Sequence, residues 1–108
     1  MNVVQRTNEL YRNGTLTQTE AGLSIIKAAI EGESLAGVEE LDADLWKEVT
    51  ETLKENRDQL RYAYISTQTT SIDKKDLNES EVIIFNRDQL EIARERLGIK
   101  VENPNLET

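Results

Sequence analysis

Carboxylates are the commonest chemically active side chains in this sequence, which has 21 Asp and Glu residues against 13 Lys and Arg residues. It contains no His and no Cys, so it lacks the usual general base, the usual metal-binding imidazole and any thiol nucleophile. A pair of carboxylates can hydrolyse a glycosidic bond, but no pair is singled out by its spacing. We therefore expect no catalytic residues and predict that the protein is not an enzyme.

Motifs for metals and cofactors are also missing. Zinc and iron–sulfur sites of familiar spacing need Cys or His ligands. The Gly residues are too far apart for a phosphate-binding glycine loop. The acidic run at 39–44 lacks the Gly and the terminal Glu spacing of a calcium-binding loop. The sequence therefore predicts no cofactor and no bound metal.

The net charge of −8 is concentrated in the middle of the chain. Residues 31–58 hold ten acids and three bases, which gives −7 and leaves −1 for all other residues. Affinity for nucleic acid phosphates comes mainly from Lys and Arg, so we expect no direct nucleic-acid binding. A protein partner with a basic surface fits this charge better.

The candidate partner-binding residues are one aromatic side chain and the acids around it. Trp46 is the single Trp of the chain, and an aromatic anchor among carboxylates has the composition of a binding hot spot for a basic partner. The plainer interpretation of Trp46 is an aromatic residue at the edge of the core. The candidate set consists of Glu39, Glu40, Asp44, Trp46, Glu48, Glu51 and Glu55.

Three functions are consistent with this composition. The first is a non-enzymatic interaction module that binds a basic protein surface. The second is an inhibitor that mimics nucleic acid and blocks a DNA- or RNA-binding protein, which needs carboxylates at phosphate-like spacing. The third is a structural homo-oligomer, such as a homodimer, built from helices predicted at 43–64 and 80–97. We favour the first because it requires only the segregated charge.

Neither secretion nor membrane insertion is indicated by the sequence. The stretch MNVVQRTNELYRN has no long apolar segment, and no run approaches the ~18 apolar residues of a membrane span. The absence of Cys suits a reducing compartment. We expect a cytoplasmic protein that does not bind membranes.

Helices are the elements predicted to position the acids. The fold class is mainly α, a small bundle of three or four helices. Thr17 and Glu20 form the pattern of a capping box, and Asp42 or Asp44 is suited to start the following helix. Apolar residues recur at helical intervals and predict helices over 3–12, 18–31, 43–65 and 80–97 (or 87–97).

The region around 62–85 is where the helical pattern is weakest. Its Thr-rich part is β-prone, and Val-Ile-Ile-Phe at 82–85 suits a buried strand as well as a helix. The alternative fold is therefore α+β, with a hairpin formed by 62–72 and 82–85 and joined by 99–101. The chain is expected to form a single helical domain over 1–102, with a disordered tail at 103–108.

The pentapeptide Asn-Arg-Asp-Gln-Leu occurs twice, at 56–60 and at 86–90. If both copies are helical, Asn56, Leu60, Asn86 and Leu90 form a helix-pairing seam in which the Asn residues fix the register. Alternatively, Asn86 caps a helix that follows a strand at 82–85, and the first copy is a coincidence. A shared functional motif is the least expected reading, because two copies do not make a repeat array.

Overall fold

A computed structural model of the protein describes residues 1–64 and 81–100. Within these residues the chain forms four α-helices, one 3-10 helix and a two-stranded antiparallel sheet, in the order α1 (Val3–Arg12), α2 (Gln18–Ile30), the 3-10 helix (Val38–Glu40), α3 (Ala43–Glu55), β1 (Gln59–Tyr64), β2 (Glu81–Asn86) and α4 (Arg87–Leu97). The predicted mainly α bundle is confirmed, with a small hairpin added. Across the described part of the chain, no helix has the length and apolar character needed to cross a membrane.

The core is built around α2, which packs against α1, α3, α4 and β1. Ile25 and Ile26 of α2 are fully buried. Leu45, Val49 and Leu53 of α3 are four residues apart, so they follow one side of the helix, and all three are fully buried as well. Burying one such side chain contributes about 1.5–3 kcal/mol, so these contacts fix which side of α3 faces inward.

The start of α2 is capped by its local sequence, whereas the residue at the start of α3 makes a contact with α1. At the start of α2, the Glu20 amide donates to Thr17 Oγ1 at 3.1 Å and the Thr17 amide donates to Glu20 Oε1 at 2.8 Å, which confirms the predicted capping box. Asp42 occupies the N-cap position of α3 but its side chain caps no helix amide. Its Oδ1 accepts instead from Arg12 Nη2 at 2.7 Å, so Asp42 connects α3 to α1.

Two arginines of α4 donate to backbone carbonyls on neighbouring segments. Arg94 Nη1 donates to the carbonyl oxygen of Leu53 at 3.1 Å, near the end of α3. Arg96 donates to the carbonyl oxygens of Ala29 and Glu33 at 2.8 and 2.9 Å. The last four carbonyls of a helix lack partners within that helix, so the bonds to Leu53 and Ala29 satisfy helix ends. All three bonds attach α4 to the bundle.

The predicted helix over 43–65 is too long, because α3 ends at Glu55 and β1 begins at Gln59. Leu60 and Tyr62 are buried and lie opposite Phe85 and Ile83 across the hairpin. Burial of every second side chain is typical of a strand. The prediction failed because the step of seven residues from Leu53 to Leu60 also suits a helix.

The second half of the hairpin resolves the ambiguity at 82–85 in favour of a strand. β2 spans Glu81–Asn86, so the predicted helix start at 80 is wrong and the alternative start at 87 is confirmed. Gly98 ends α4, as expected, in a left-handed conformation with φ of 70°. Ile99 is buried but lies in no strand. The predicted hairpin residues 65–72 and the tail at 103–108 lie outside the described residues, so the domain boundaries stay a prediction.

The two Asn-Arg-Asp-Gln-Leu copies have different structures. Asn86 is the N-cap of α4: its Oδ1 accepts from the Gln89 amide at 2.9 Å, and its own amide donates to Gln89 Oε1 at 2.9 Å. Asn56 is the C-cap of α3, and its Nδ2 donates to the Thr52 carbonyl oxygen at 2.9 Å. The capping interpretation of the second copy is confirmed. Asn56 at a helix end and Leu60 in a strand cannot form the helical side of the predicted seam.

The same substitution in the two copies is expected to have different effects. Asn86→Asp keeps an oxygen acceptor at an N-cap, so it should change the free energy of unfolding by less than about 0.5 kcal/mol. Asn56→Asp removes the donor to Thr52 and places a negative charge at a helix C-terminus, which should cost about 1 kcal/mol. Urea denaturation of both variants measures the difference. Equal costs would contradict the distinct capping roles.

Candidate functional site

Four of the candidate acids lie in line along one side of α3. Asp44, Glu48, Glu51 and Glu55 are separated by four, three and four residues, which keeps them on one side of a helix with about 3.6 residues per turn. We call these four residues the α3 acid stripe. The buried side of the helix, which carries Leu45, Val49 and Leu53, points in a different direction. The stripe therefore runs along α3 without entering the core.

Glu48 is the half-buried member of the stripe. Its Oε1 accepts from Gln18 Nε2 of α2 at 3.2 Å, while its Oε2 accepts from the Thr52 hydroxyl at 3.3 Å. A Cβ atom added to Gly22 of α2 would lie 2.8 Å from Glu48 Cγ. Glu48 thus fills the contact between α2 and α3, and a partner would not reach it without displacing these bonds.

The first acid of the stripe is bound by the end of α1. Asp44 is exposed, and its Oδ2 accepts a hydrogen bond from the Tyr11 hydroxyl. This hydrogen bond raises the pKa of Tyr11 above its ordinary value of 10.0. Next to it, Asp42 accepts from both Nε and Nη2 of Arg12 at 3.0 and 2.7 Å, and this contact raises the Arg12 pKa. Arg12 therefore neutralises part of the charge at the start of α3, and the Tyr11 hydroxyl occupies one carboxylate oxygen of Asp44.

Glu51 and Glu55 are the most available carboxylates of the stripe. Both are exposed. Glu51 Oε1 lies 3.8 Å from Lys47 Nζ, in a pair whose side chains are both more than half exposed. Exposed pairs of this kind contribute only about 0.3–0.5 kcal/mol. A basic partner would therefore displace only this weak ion pair when it binds the C-terminal half of α3.

The acids before α3 are also accessible. Glu39 and Glu40 are exposed in the 3-10 helix. The pKa of Arg12 is raised mainly by its hydrogen bond with Asp42 and, to a smaller extent, by the charge of Glu40. Glu40 therefore lies near the beginning of α3 and extends the negative surface toward α1.

Trp46 does not join the α3 acid stripe. It is half-buried and packs against the core. Nine residues, or about two and a half helical turns, separate Trp46 from Glu55, so the two side chains leave α3 in opposite directions. The core-edge interpretation of Trp46 fits this position, and the hypothesis of an exposed anchor surrounded by carboxylates does not.

The residues predicted for a helix-pairing seam are spread over different elements. Leu60 is 7% exposed and Leu90 is fully buried, both within this chain's own core. Asn56 is half-buried at the end of α3, whereas Asn86 is exposed at the start of α4. The two Leu side chains are thus unavailable to a second copy of the protein, so the predicted seam gives no support to the homo-oligomer hypothesis, which stays a prediction.

Sequence reasoning missed the side chains that bind the acids. Tyr11, Arg12 and Gln18 lie 30 to 33 residues before their partners, and no local pattern marks such distant pairs. Within residues 1–64 and 81–100, no group of three or more acidic side chains converges to hold a metal ion.

No protein-family model, no curated protein and no solved structure matches this chain.

Proposed function

We propose that the protein is a non-enzymatic interaction module that binds a basic protein surface through the α3 acid stripe, with Glu39 and Glu40 extending the contact. The observation that carries this proposal is the alignment of four acids on a side of α3 other than that of the buried Leu45, Val49 and Leu53, with Glu51 and Glu55 exposed. A cytoplasmic location is part of the proposal, and the absence of Cys supports it.

The acids of this surface divide into two roles. Glu51 and Glu55 contact the partner directly, because both are exposed and neither has a strong internal bond to lose. Asp44 and Glu48 keep their hydrogen bonds to Tyr11 and Gln18. They contribute negative electrostatic potential without contacting the partner directly. Attraction of this kind accelerates the encounter with a basic partner more than it adds affinity.

Salt dependence tests this proposal. Basic proteins captured from the native host at about 0.1 M salt should be released at about 1 M, because the screening length falls from about 10 Å to about 3 Å. An oligolysine peptide should bind with the same dependence, and a neutral peptide of equal length is the control. A partner that stays bound at high salt through contacts elsewhere would contradict the proposal.

A nucleic-acid-mimicking inhibitor is the second candidate, favoured by the linear order of the acids. At about 1.5 Å per residue the α3 acid stripe spans about 16 Å, over which one DNA strand carries about five phosphates. The stripe is sparser than a DNA strand and Glu48 is half-buried, so we rank this function lower. Duplex DNA that displaces a captured partner would favour mimicry, and a partner indifferent to DNA would exclude it.

A further inference from the structure

The turn that links α1 to α2 contains Asn13-Gly14, the only Asn followed by Gly in the sequence. Asn13 is the C-cap of α1, and Gly14 has a φ of 83°, in the left-handed region that favours glycine. Both residues are exposed. The pair is therefore accessible to water, and it lies outside the candidate partner-binding residues.

The side-chain carbonyl of Asn13 accepts two hydrogen bonds from Thr15. The Thr15 amide donates to Asn13 Oδ1 at 3.0 Å, and the Thr15 hydroxyl donates to the same oxygen at 2.6 Å. Two donors at one carbonyl oxygen stabilise the negative charge that develops there when a nucleophile adds to the carbonyl carbon. The turn therefore activates Asn13 Cγ toward nucleophilic attack.

The backbone nitrogen of Gly14 is the nucleophile next to Asn13 Cγ along the chain, and its addition closes a five-membered ring. A Cβ atom built at Gly14 would have nothing within 4 Å, so no neighbouring side chain obstructs this ring. The Gly14 amide donates to the carbonyl oxygen of Tyr11 at 3.1 Å, and this bond has to open first. One exposed hydrogen bond at a helix end slows the reaction only about two- to tenfold relative to an unfolded chain.

We propose that Asn13-Gly14 is a self-modification site, at which Asn13 loses ammonia with the help of the Thr15 hydroxyl and becomes aspartate or isoaspartate. Hydroxide removes the proton of the Gly14 amide, and the nitrogen forms a bond to Asn13 Cγ. Asn13 Nδ2 takes up a proton from water and leaves as ammonia, which produces a succinimide. Water then opens the ring. Cleavage of the bond from nitrogen to Cγ gives aspartate, and cleavage of the bond from nitrogen to the main-chain carbonyl carbon gives isoaspartate.

Either product changes the junction between α1 and α2. Both add a negative charge at the C-terminal end of α1, where the helix dipole makes it unfavourable. Isoaspartate also inserts an additional carbon atom into the main chain before Gly14. The Leu16 amide donates to the carbonyl oxygen of Leu10 at 3.2 Å, and the Leu16 side chain is only 2% exposed. Because the longer main chain disturbs this core residue, the isoaspartate form should unfold at a lower urea concentration than the unmodified protein.

Mass spectrometry of the full chain, incubated at mildly alkaline pH, tests the site. A protease that cleaves after Lys releases residues 1–27, and fragmentation of this peptide locates the mass gain of an NH group replaced by oxygen. The gain at Asn13 should appear in the folded protein about two- to tenfold more slowly than in concentrated urea. Asn2 and Asn8 are internal controls, because the side chains of the following Val and Glu hinder ring closure. A folded protein in which Asn13 stays intact while it reacts fully in urea would overturn the site.

Variants of Thr15 test the activation of Asn13. Thr15→Val keeps the branched shape but removes the hydroxyl donor, so it should slow the reaction of the folded protein about two- to fivefold. The rate in urea should not change, since the turn is absent there. Thr15→Ser keeps the hydroxyl and should react as fast as the unsubstituted chain. Equal rates for folded Thr15→Val and the unsubstituted chain would overturn the activation by Thr15. Neither measurement involves a partner, so both are independent of the proposed function.

Discussion

Glu51→Lys combined with Glu55→Lys is expected to weaken binding of the basic partner, or of oligolysine, about thirtyfold. Each exposed contact with a basic group contributes about 0.5 kcal/mol, and reversing its sign turns attraction into repulsion of similar size. Two reversals therefore cost about 2 kcal/mol. Isothermal titration calorimetry at about 0.1 M salt measures this change, since higher salt would screen it.

The matched control for this experiment is Glu91→Lys with Glu95→Lys on α4, two exposed residues with the same spacing. It changes the net charge by the same amount but leaves the α3 acid stripe intact, so binding should weaken far less. Lys near the C-terminal end of α3 is favourable for the helix dipole, so circular dichroism should show an intact fold. Equal losses in the two double variants would mean that total charge, rather than the stripe, governs binding.

Gly22→Ala is expected to lower the free energy of unfolding by about 1–3 kcal/mol, the usual cost of overpacking. This result opposes helix propensity, on which Ala is about 1 kcal/mol better than Gly. The reason is the Glu48 Cγ atom, 2.8 Å from where the new Cβ would lie. Urea denaturation measures the change.

Removing the obstructing side chain should reverse the sign. In a Glu48→Ala background the nearest side-chain atom from residue 48 is the Cβ, at 3.6 Å, which is ordinary contact. There Gly22→Ala should stabilise the protein by about 0.5–1 kcal/mol, so the double-mutant cycle should give a coupling of about 2 kcal/mol or more. If Gly22→Ala has the same effect in both backgrounds, Glu48 does not fill the contact between α2 and α3.

This second experiment also bears on function. A large coupling with Gly22 identifies Glu48 as a packing residue whose loss would weaken binding through the fold. Its substitution is therefore a poor test of partner recognition, whereas Glu51 and Glu55 can be changed without disturbing a neighbouring helix.

The sequence by itself determined the features that depend on residues within one or two helical turns. The bounds of α1 and the start of α2 were predictable because the Thr17 and Glu20 caps and the apolar spacing are local. The alignment of the acids on α3 also follows from spacing alone once the helix is known. Capping hydrogen bonds and the side of a helix on which a side chain lies can be predicted from the sequence, because both depend on residues at fixed spacings.

Only the tertiary structure decided which side chains these elements meet. Leu60 fits a helical interval from Leu53, yet pairing with β2 places it in a strand, where its side chain is also buried. Asp44 and Glu48 carry the same charge as Glu51 and Glu55, yet Tyr11 and Gln18 engage only the first two. Contacts between residues about 30 positions apart arise from how helices pack, and that packing has no period in the sequence.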